Sequence, residues 1–264
     1  MIDVHCHLLP GIDDGPEGWS TSIEMARLAA ADGIATIACT PHIYPGLFDN
    51  DSVSIAALVE AMRKRLDEER IPLRLAAGAD AHLTPELLDR LKAGTAPTLA
   101  GSRYLLLEPS HTMATPRFAE SVFDFLAAGY VPVITHPERL AWIRAHYAAF
   151  RSLVRSGVWL QVTAGSLCGR FGRQARYFAE KLLEDGLVHV LATDAHGARH
   201  RAPLLAEGRD AAERRVGAEE STRLVVDRPQ AILDDRPPAE VAPVPGLVRE
   251  PRARAILDRL RRRG

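Results

Sequence analysis

The chain has 264 residues, 47% of them apolar and 25% charged, with a formal net charge of −1. This is the balance of a globular protein long enough for one α/β barrel, and near-neutrality excludes a partner held by bulk charge, whether nucleic acid or a membrane surface. The start lacks the basic stretch and apolar core of a signal peptide and no apolar run reaches spanning length, so the expectation is a cytoplasmic protein without stable membrane insertion. Cys6, Cys39 and Cys168 are widely spaced with no Cys-x-x-Cys pair, which excludes a disulfide framework and a structural zinc knuckle.

In chain order, strands are predicted at 2–7 (IDVHCH), 35–40 (ATIACT), 73–80 (LRLAAGAD), 104–108 (YLLLE), 131–135 (VPVIT), 158–163 (VWLQVT) and 188–193 (VHVLAT). Helical patterns lie between and after them, near 20–32, 54–69, 85–93, 116–128, 141–156, 173–185 and 203–215. Four helices end on glycine (ADG, AAG, RSG, EDG), each followed at once by an apolar strand, as when a helix returns to a parallel sheet.

Seven such units predict a parallel sheet covered by helices. No phosphate-binding glycine fingerprint follows the first strand, so a distorted, TIM-barrel-like (β/α)7 barrel is favoured over an open doubly wound sheet. The expected organisation is a single barrel domain over 1–237, ending in a helical stretch near 219–234. Residues 238–264 then form a linker (from DRPPAEVAPVPG) and a basic C-terminal tail, REPRARAILDRLRRRG.

The polar residues are not scattered over this scheme. Strand one carries His5 and His7, and strand two runs into Thr40-Pro41-His42. Strand three ends at Asp80, followed by His82, and strand four at Glu108. Strand five leads into His136-Pro137-Glu138-Arg139, and strand seven into Asp194-Ala195-His196. These are C-terminal strand ends, where barrel chemistry is built. Alternation puts His5 with His7, and Asp194 with His196, on shared faces. Asp3 falls on the His5/His7 face, as an orienting partner for one imidazole or as a plain polar strand start.

With Asp14 from the loop after strand one, the candidate metal ligands are His5, His7, Asp14, His42, Asp80, Glu108, His136, Asp194 and His196. Nine nitrogen and oxygen donors imply two or three divalent ions with bridging carboxylates, and the absence of thiolate favours manganese, zinc or iron over calcium. Three such ions against four carboxylates leave a charge of +2, which attracts a phosphate dianion. Arg139 and Arg201 are candidate catalytic residues that would grip phosphate bidentately. The plain alternatives are an ion pair from Arg139 to Glu138 or another carboxylate, and a solvated Arg201. For Trp142, Trp159 and the cysteines, core packing is the better account.

HCH, TPH, the acidic strand-three residue, Glu108, HPER and DAH resemble the motifs of the PHP superfamily of metal-dependent phosphoesterases. More narrowly, MIDVHCHLLPGIDDG, MARLAAADGIATIACTPH, THPER and TDAHGARHRAP are similar to the bacterial capsule- and exopolysaccharide-linked protein-tyrosine phosphatases, from Met1 to about Pro237. The resemblance implies a PHP-type barrel, a trinuclear and usually manganese site, and a phosphotyrosine protein substrate such as a bacterial tyrosine kinase of polysaccharide export. It also implies a partition: His5, His7 and Asp194 on one ion with Asp80 bridging, Glu108 and His136 on a second, Asp14, His42 and His196 on a third. The family's usual strand-three residue is glutamate, and Asp80 is one methylene shorter. His82 is read as a loop histidine and His111 as an unassigned rim residue.

A small-molecule phosphatase of the same superfamily, such as one acting on histidinol phosphate, shares the phosphoryl chemistry and would differ at the rim, in Tyr44, Phe48, His111 and the 197–203 loop. A cysteine phosphatase is excluded, because the residues six after Cys6, Cys39 and Cys168 are Ile12, Pro45 and Gln174 rather than arginine. A barrel C–N hydrolase would normally want a carbamylated lysine or a glutamate on a middle strand, and strands three and four offer Asp80 and Glu108 without a strand-borne lysine. A metal-binding regulator without turnover is the reading from another class, and the complete donor set argues against it.

Overall fold

The computed structural model describes residues 1–248. Its strands are β1 (Ile2–Cys6), β2 (Thr36–Cys39), β3 (His42–Ile43), β4 (Arg74–Ala77), β5 (Asp80–His82), β6 (Tyr104–Glu108), β7 (Val131–Ile134), β8 (Trp159–Thr163) and β9 (Val190–Ala192). The principal helices are α1 (Trp19–Ala31), α2 (Ser52–Glu68), α3 (Leu87–Lys92), α4 (Phe118–Ala127), α5 (Ile143–Arg155), α6 (Ala164–Leu167), α7 (Gly172–Glu184) and α8 (Ala206–Val216). All strand pairs are parallel. The four expected glycines, Gly33, Gly129, Gly157 and Gly186, end their helices at positive φ.

Predicted strands two and three are each broken in two. Pro41, which has no N–H to give, separates β2 from β3. Gly78 separates β4 from β5, and a Cβ there would meet Leu99 Cδ2 at 2.9 Å. The sheet therefore divides into β1-β2-β4 and β3-β5-β6-β7-β8-β9. It curls until its ends meet: Asp194 N–H donates to the His5 carbonyl at 2.8 Å, and His7 N–H donates to that of Ala195 at 2.9 Å.

Two apolar layers result. Cys6, Ile37, Leu105, Leu107, Ile134, Leu160, Val162 and Leu191 pack outward against the helices. Ile2, Val4, Tyr104, Leu106, Val131, Val133, Trp159, Val190 and Ala192 fill the inside, with Leu99 and Ile232 plugging it. Followed inward-facing residue by residue, β6 reads Tyr104, Leu106, Glu108, and the last strand reads Val190, Ala192, Asp194. Each column is apolar at one end of the barrel and ionisable at the other.

Strand β1 breaks its own alternation. Its register with β2 shifts between Asp3 and Cys6, so Val4 belongs to the inner layer while Cys6 belongs to the outer one. The irregularity moves Asp3 off the imidazole face. Its carboxylate accepts from the backbone N–H of His5 at 3.2 Å and of Thr193 at 3.0 Å, and from the Thr193 hydroxyl, touching neither ring. Asp3 thus ties the first strand to the last, and burial raises its pKa to about 6 against those bonds.

Residues 238–248, read above as linker, pack on the barrel. Val244 is fully buried and Gly246 N–H donates to the Gly186 carbonyl at 2.9 Å. Arg228, itself fully buried, pairs with Glu220 at 2.7 Å and donates to the carbonyls of Ala242, Pro243 and His189. The basic tail from 249 lies outside the described residues. No helix among the described residues is long and apolar enough to cross a membrane.

Candidate metal centre

All nine predicted ligands converge at the ionisable end of the barrel. Their sources are neighbouring strands in register: His42 sits beside Asp80, and His82 beside Glu108. The closure of β1 on the last strand brings His5 and His7 against Asp194 and His196. His136 and Asp194 both adopt left-handed backbone conformations, at φ 34° and 51°. A non-glycine residue holds such a conformation only when its surroundings fix it, and such residues gather at functional sites.

Donor atoms face one another at short range. His5 Nε2 lies 3.2 Å from His7 Nε2, 3.3 Å from Asp194 Oδ1 and 3.4 Å from Asp80 Oδ2. His42 Nδ1 is 3.6 Å from Asp80 Oδ2 and 3.5 Å from Glu108 Oε2. His196 Nε2 and His42 Nε2 lie 3.2 and 3.5 Å from Asp14 Oδ1. Adjacent ligands on an ion with bonds of about 2.1 Å stand about 3.0–3.4 Å apart, so much of this spacing suits shared ions. Three of the donor groups lying within 4.8 Å of one another are His7/Asp14/His42/His196, His5/His7/Asp80 and His5/His136/Asp194. They overlap the partition expected from the resemblance without reproducing it.

Tautomers point the same way. His5 donates Nδ1–H to Gln161 Oε1 at 3.0 Å, which also accepts from the His136 backbone N–H. His7 donates Nδ1–H to Asp13 Oδ2 at 2.7 Å, and His196 donates Nδ1–H to the Asp194 carbonyl at 3.1 Å. Each bond fixes Nδ1 as the donor and turns Nε2 into the mouth, where a bound ion would take the place of any Nε2 proton. Both carboxylate oxygens of Asp80, His136 Nδ1 and His196 Nε2 are buried without a hydrogen-bond partner. Buried donors and acceptors are rarely left so, and a divalent ion among them would satisfy those that face the mouth.

The electrostatics fit anionic carboxylates among imidazoles. Burial alone would neutralise Asp80 and Asp194, yet His5 beside both, with Arg201 and Arg139 beside Asp194, holds them well below the usual carboxylate range. Burial also opposes a charge on His7, but the Asp13 and Asp194 carboxylates lift it to about 10. Burial and the cationic neighbours Arg139 and His7 push His136 and His196 down to about 4.

Arg139 and Arg201 meet on one carboxylate. Arg139 Nη1 donates to Asp194 Oδ2, as does Arg201 Nη2 at 2.6 Å, while Arg201 Nε reaches the Asp194 carbonyl at 3.2 Å. For Arg139 the plain alternative of an ion pair to a neighbouring carboxylate is met by Asp194, while Glu138 turns away to accept from Thr163 N–H and Ser166 Oγ. Arg201 is paired rather than only solvated. Phe171 supports both guanidinium groups, 4.4 Å from Arg139 and 5.8 Å from Arg201 to the ring centroid. Gly165 makes room for that ring, since a Cβ there would meet Phe171 Cε2 at 3.0 Å.

Several site residues escaped the sequence reading. Asp13 is one, and its only signal was adjacency to Asp14. Gly15 lets this loop fold back on the strand, for a Cβ there would meet the His7 carbonyl at 2.8 Å. Gln161 is another, legible only as the lone amide in an apolar strand. His82 is a strand residue, 3.5 Å from Glu108 and stacked on Tyr44 at 4.1 Å. His111 lies 3.2 Å from Glu108 and forms a further donor group with Glu108 and His136.

Barrel and donor set together define the class, a metal-dependent hydrolase of the parallel α/β type. The model of the capsular polysaccharide synthesis family CpsB/CapC matches residues 1–234. The chain belongs to that family. The tyrosine-protein phosphatase YwqE of Bacillus subtilis (strain 168) is 40% identical over 202 residues, 76% of this chain and 79% of its own length. The tyrosine-protein phosphatase CpsB of Streptococcus pneumoniae is 30% identical over 245 residues, 89% of this chain and 99% of its own. A chain from the crystal structures of those two proteins, described as unique metal-dependent tyrosine phosphatases, superposes with a TM-score of 0.86. It is 34% identical, and the match covers 90% of this chain and 96% of that one.

Proposed function

We propose that this chain is a manganese-dependent protein-tyrosine phosphatase that acts in the cytoplasm on a bacterial tyrosine kinase of polysaccharide export. The observation that carries the reading is a barrel mouth of buried, unpartnered nitrogen and oxygen donors beside two guanidinium groups. The tyrosine-protein phosphatases similar to this chain support the choice of substrate.

His5, His7 and Asp194, with Asp80, would hold one ion, Glu108 and His136 a second, and Asp14, His42 and His196 a third. Their mixed donors suit manganese, with zinc or iron as the other candidates. Bound divalent ions supply Lewis acidity, bringing the pKa of water toward neutrality and offsetting phosphoryl charge. Arg139 and Arg201 grip the phosphoryl oxygens, and their shared hold on Asp194 fixes the two forks before substrate arrives. Asp13 and Gln161 fix the imidazoles that face the ions. Tyr44 and Phe48, stacked on His82 and His42, form the lip over which an aryl ring enters.

The test strips metal with a chelator and follows phosphate release from a phosphotyrosine peptide, an aryl phosphate and histidinol phosphate, with and without manganese. Manganese-restored turnover fastest on the peptide is expected. Turnover confined to the small phosphates would move the assignment to a metabolic phosphatase, and none with any metal would end the phosphatase reading.

A further inference from the structure

Beside the donor cluster lies a second cavity of about 370 Å³, built mainly from the segment after α6 and the loop before α8. It shares a wall with the metal centre: Arg201 lines it while holding Asp194, and Thr193, the residue before Asp194, also lines it. Phe171 forms the partition, its ring within cation–π reach of Arg139 and Arg201. Leu204 and Ala202 add apolar surface.

The charge of this cavity is one-sided. Arg170, Arg199, His200 and Arg201 line it, and none of its lining residues is acidic. Arg170 is occupied by Glu207 on α8, and Arg201 by Asp194. Arg199 is exposed and makes no hydrogen bond or ion pair within the described residues. A guanidinium without a partner, in a cavity that Phe171 also lines and beside a candidate phosphoryl site, is a receptor for a second anion on the same ligand.

We propose that this cavity is a specificity subsite for an anionic side chain of the substrate polypeptide, one or two residues from the phosphotyrosine. The inference rests on the phosphotyrosine reading. Successive Cα atoms stand about 3.8 Å apart, so a neighbouring side chain reaches across the Phe171 partition while the phosphate lies against Arg139 and Arg201. Arg199 selects by charge, and Phe171 and Leu204 take the stem of the side chain. A carboxylate and a second phosphoryl group share this chemistry.

Peptides identical except for the residue beside the phosphotyrosine (Ala, Glu, Lys or a second phosphotyrosine) separate the sources. With manganese-loaded protein, kcat/KM for the Glu or the doubly phosphorylated peptide should exceed that for the Ala peptide about tenfold, the scale of one charge-assisted bond at a partly exposed site. Arg199→Gln should bring that ratio toward one, and Arg199→Glu should turn it in favour of Lys. Advantage for Glu alone assigns a carboxylate, for the second phosphotyrosine alone a phosphoryl group. Equal rates on all four peptides, or a preference that survives both Arg199 variants, overturns the proposal while leaving phosphotyrosine hydrolysis standing. Turnover of an aryl phosphate with none of any peptide overturns both readings.

Discussion

Asp13 Oδ2 accepts the Nδ1–H of His7 at 2.7 Å, the shortest polar contact made by any imidazole of the centre. Through its other oxygen Asp13 takes the Gly15 N–H at 2.9 Å, and Oδ2 also accepts the His42 N–H at 3.1 Å. One carboxylate thus sets the tautomer of one candidate ligand and the backbone of another. Asp13→Asn should weaken manganese binding by about 10- to 100-fold, the usual effect of losing an outer carboxylate. Calorimetric titration of chelator-stripped protein measures this, and excess manganese should recover much of the activity. An unchanged binding curve would remove the role.

Asp194 has the densest set of partners in the mouth: His5, His7, His196, Arg139 and Arg201. Asp194→Asn keeps its size and removes its charge, so the barrel should survive while turnover falls by about a thousandfold or more. His136→Ala should do the same by deleting a donor. Circular dichroism and phosphate release read fold and activity separately, and near wild-type turnover in both variants would exclude the proposed centre.

His111 approaches Glu108 and His136 from the loop after β6, which is pinned by the Trp142 indole on the Ser110 carbonyl at 2.8 Å. If it completes the set on the second ion, His111→Ala should raise the manganese concentration for half-maximal activity about tenfold and leave the saturated rate closer to wild type. An unchanged manganese requirement would return His111 to the rim.

At the other end of the barrel His189 is buried, stacked on Trp159 at 4.9 Å, and accepts the Leu160 N–H through Nδ1. Burial, reinforced by Arg228, holds its pKa well below the ordinary imidazole range. The unfolded chain then binds a proton at this histidine below about pH 6.5 that the folded chain refuses, so stability falls with falling pH by up to about 1.4 kcal/mol per unit. Asn at 189 offers an oxygen in place of Nδ1 and does not titrate. Urea unfolding of metal-free protein between pH 7.5 and 5.5 should show a shallower acid loss for His189→Asn, and parallel curves would refute the assignment.

Arg228→Leu should cost about 3–5 kcal/mol, because it leaves Glu220 buried without its cation and strips donors from the Ala242 and Pro243 carbonyls. Thermal unfolding of the variant, with unfolding of the Arg228→Leu/Glu220→Leu pair as its control, measures this. The double variant should recover part of the loss.

Apart from Asp14, which lies in a loop, the candidate ligands were legible because they stand at or beside strand ends, where position along the chain and position in the barrel coincide. The glycine-ended helices were legible for the same reason, since helix stops and parallel returns are local signals. Asp13 and Gln161 were not, because nothing local distinguishes them. Gln161 meets His5 across 156 residues of chain. The misplacement of Asp3 has a different origin: strict alternation fails where β1 shifts register against β2, and nothing in IDVHC announces the shift. The packed stretch 238–248 read as linker because its anchors, Arg228 and Gly186, belong to other elements.

Closure between β1 and the residues after β9 also has a consequence in time. His5 and His7 leave the ribosome well ahead of Asp194 and His196, with more than 180 residues made between them. Over that interval the early histidines lack the carboxylate they face in the closed barrel. Pairings of such sequence separation form late and slowly. The complete donor set therefore exists only once Asp194 and His196 have been made, and a chain cut short before Asp194 carries isolated donors but no complete centre.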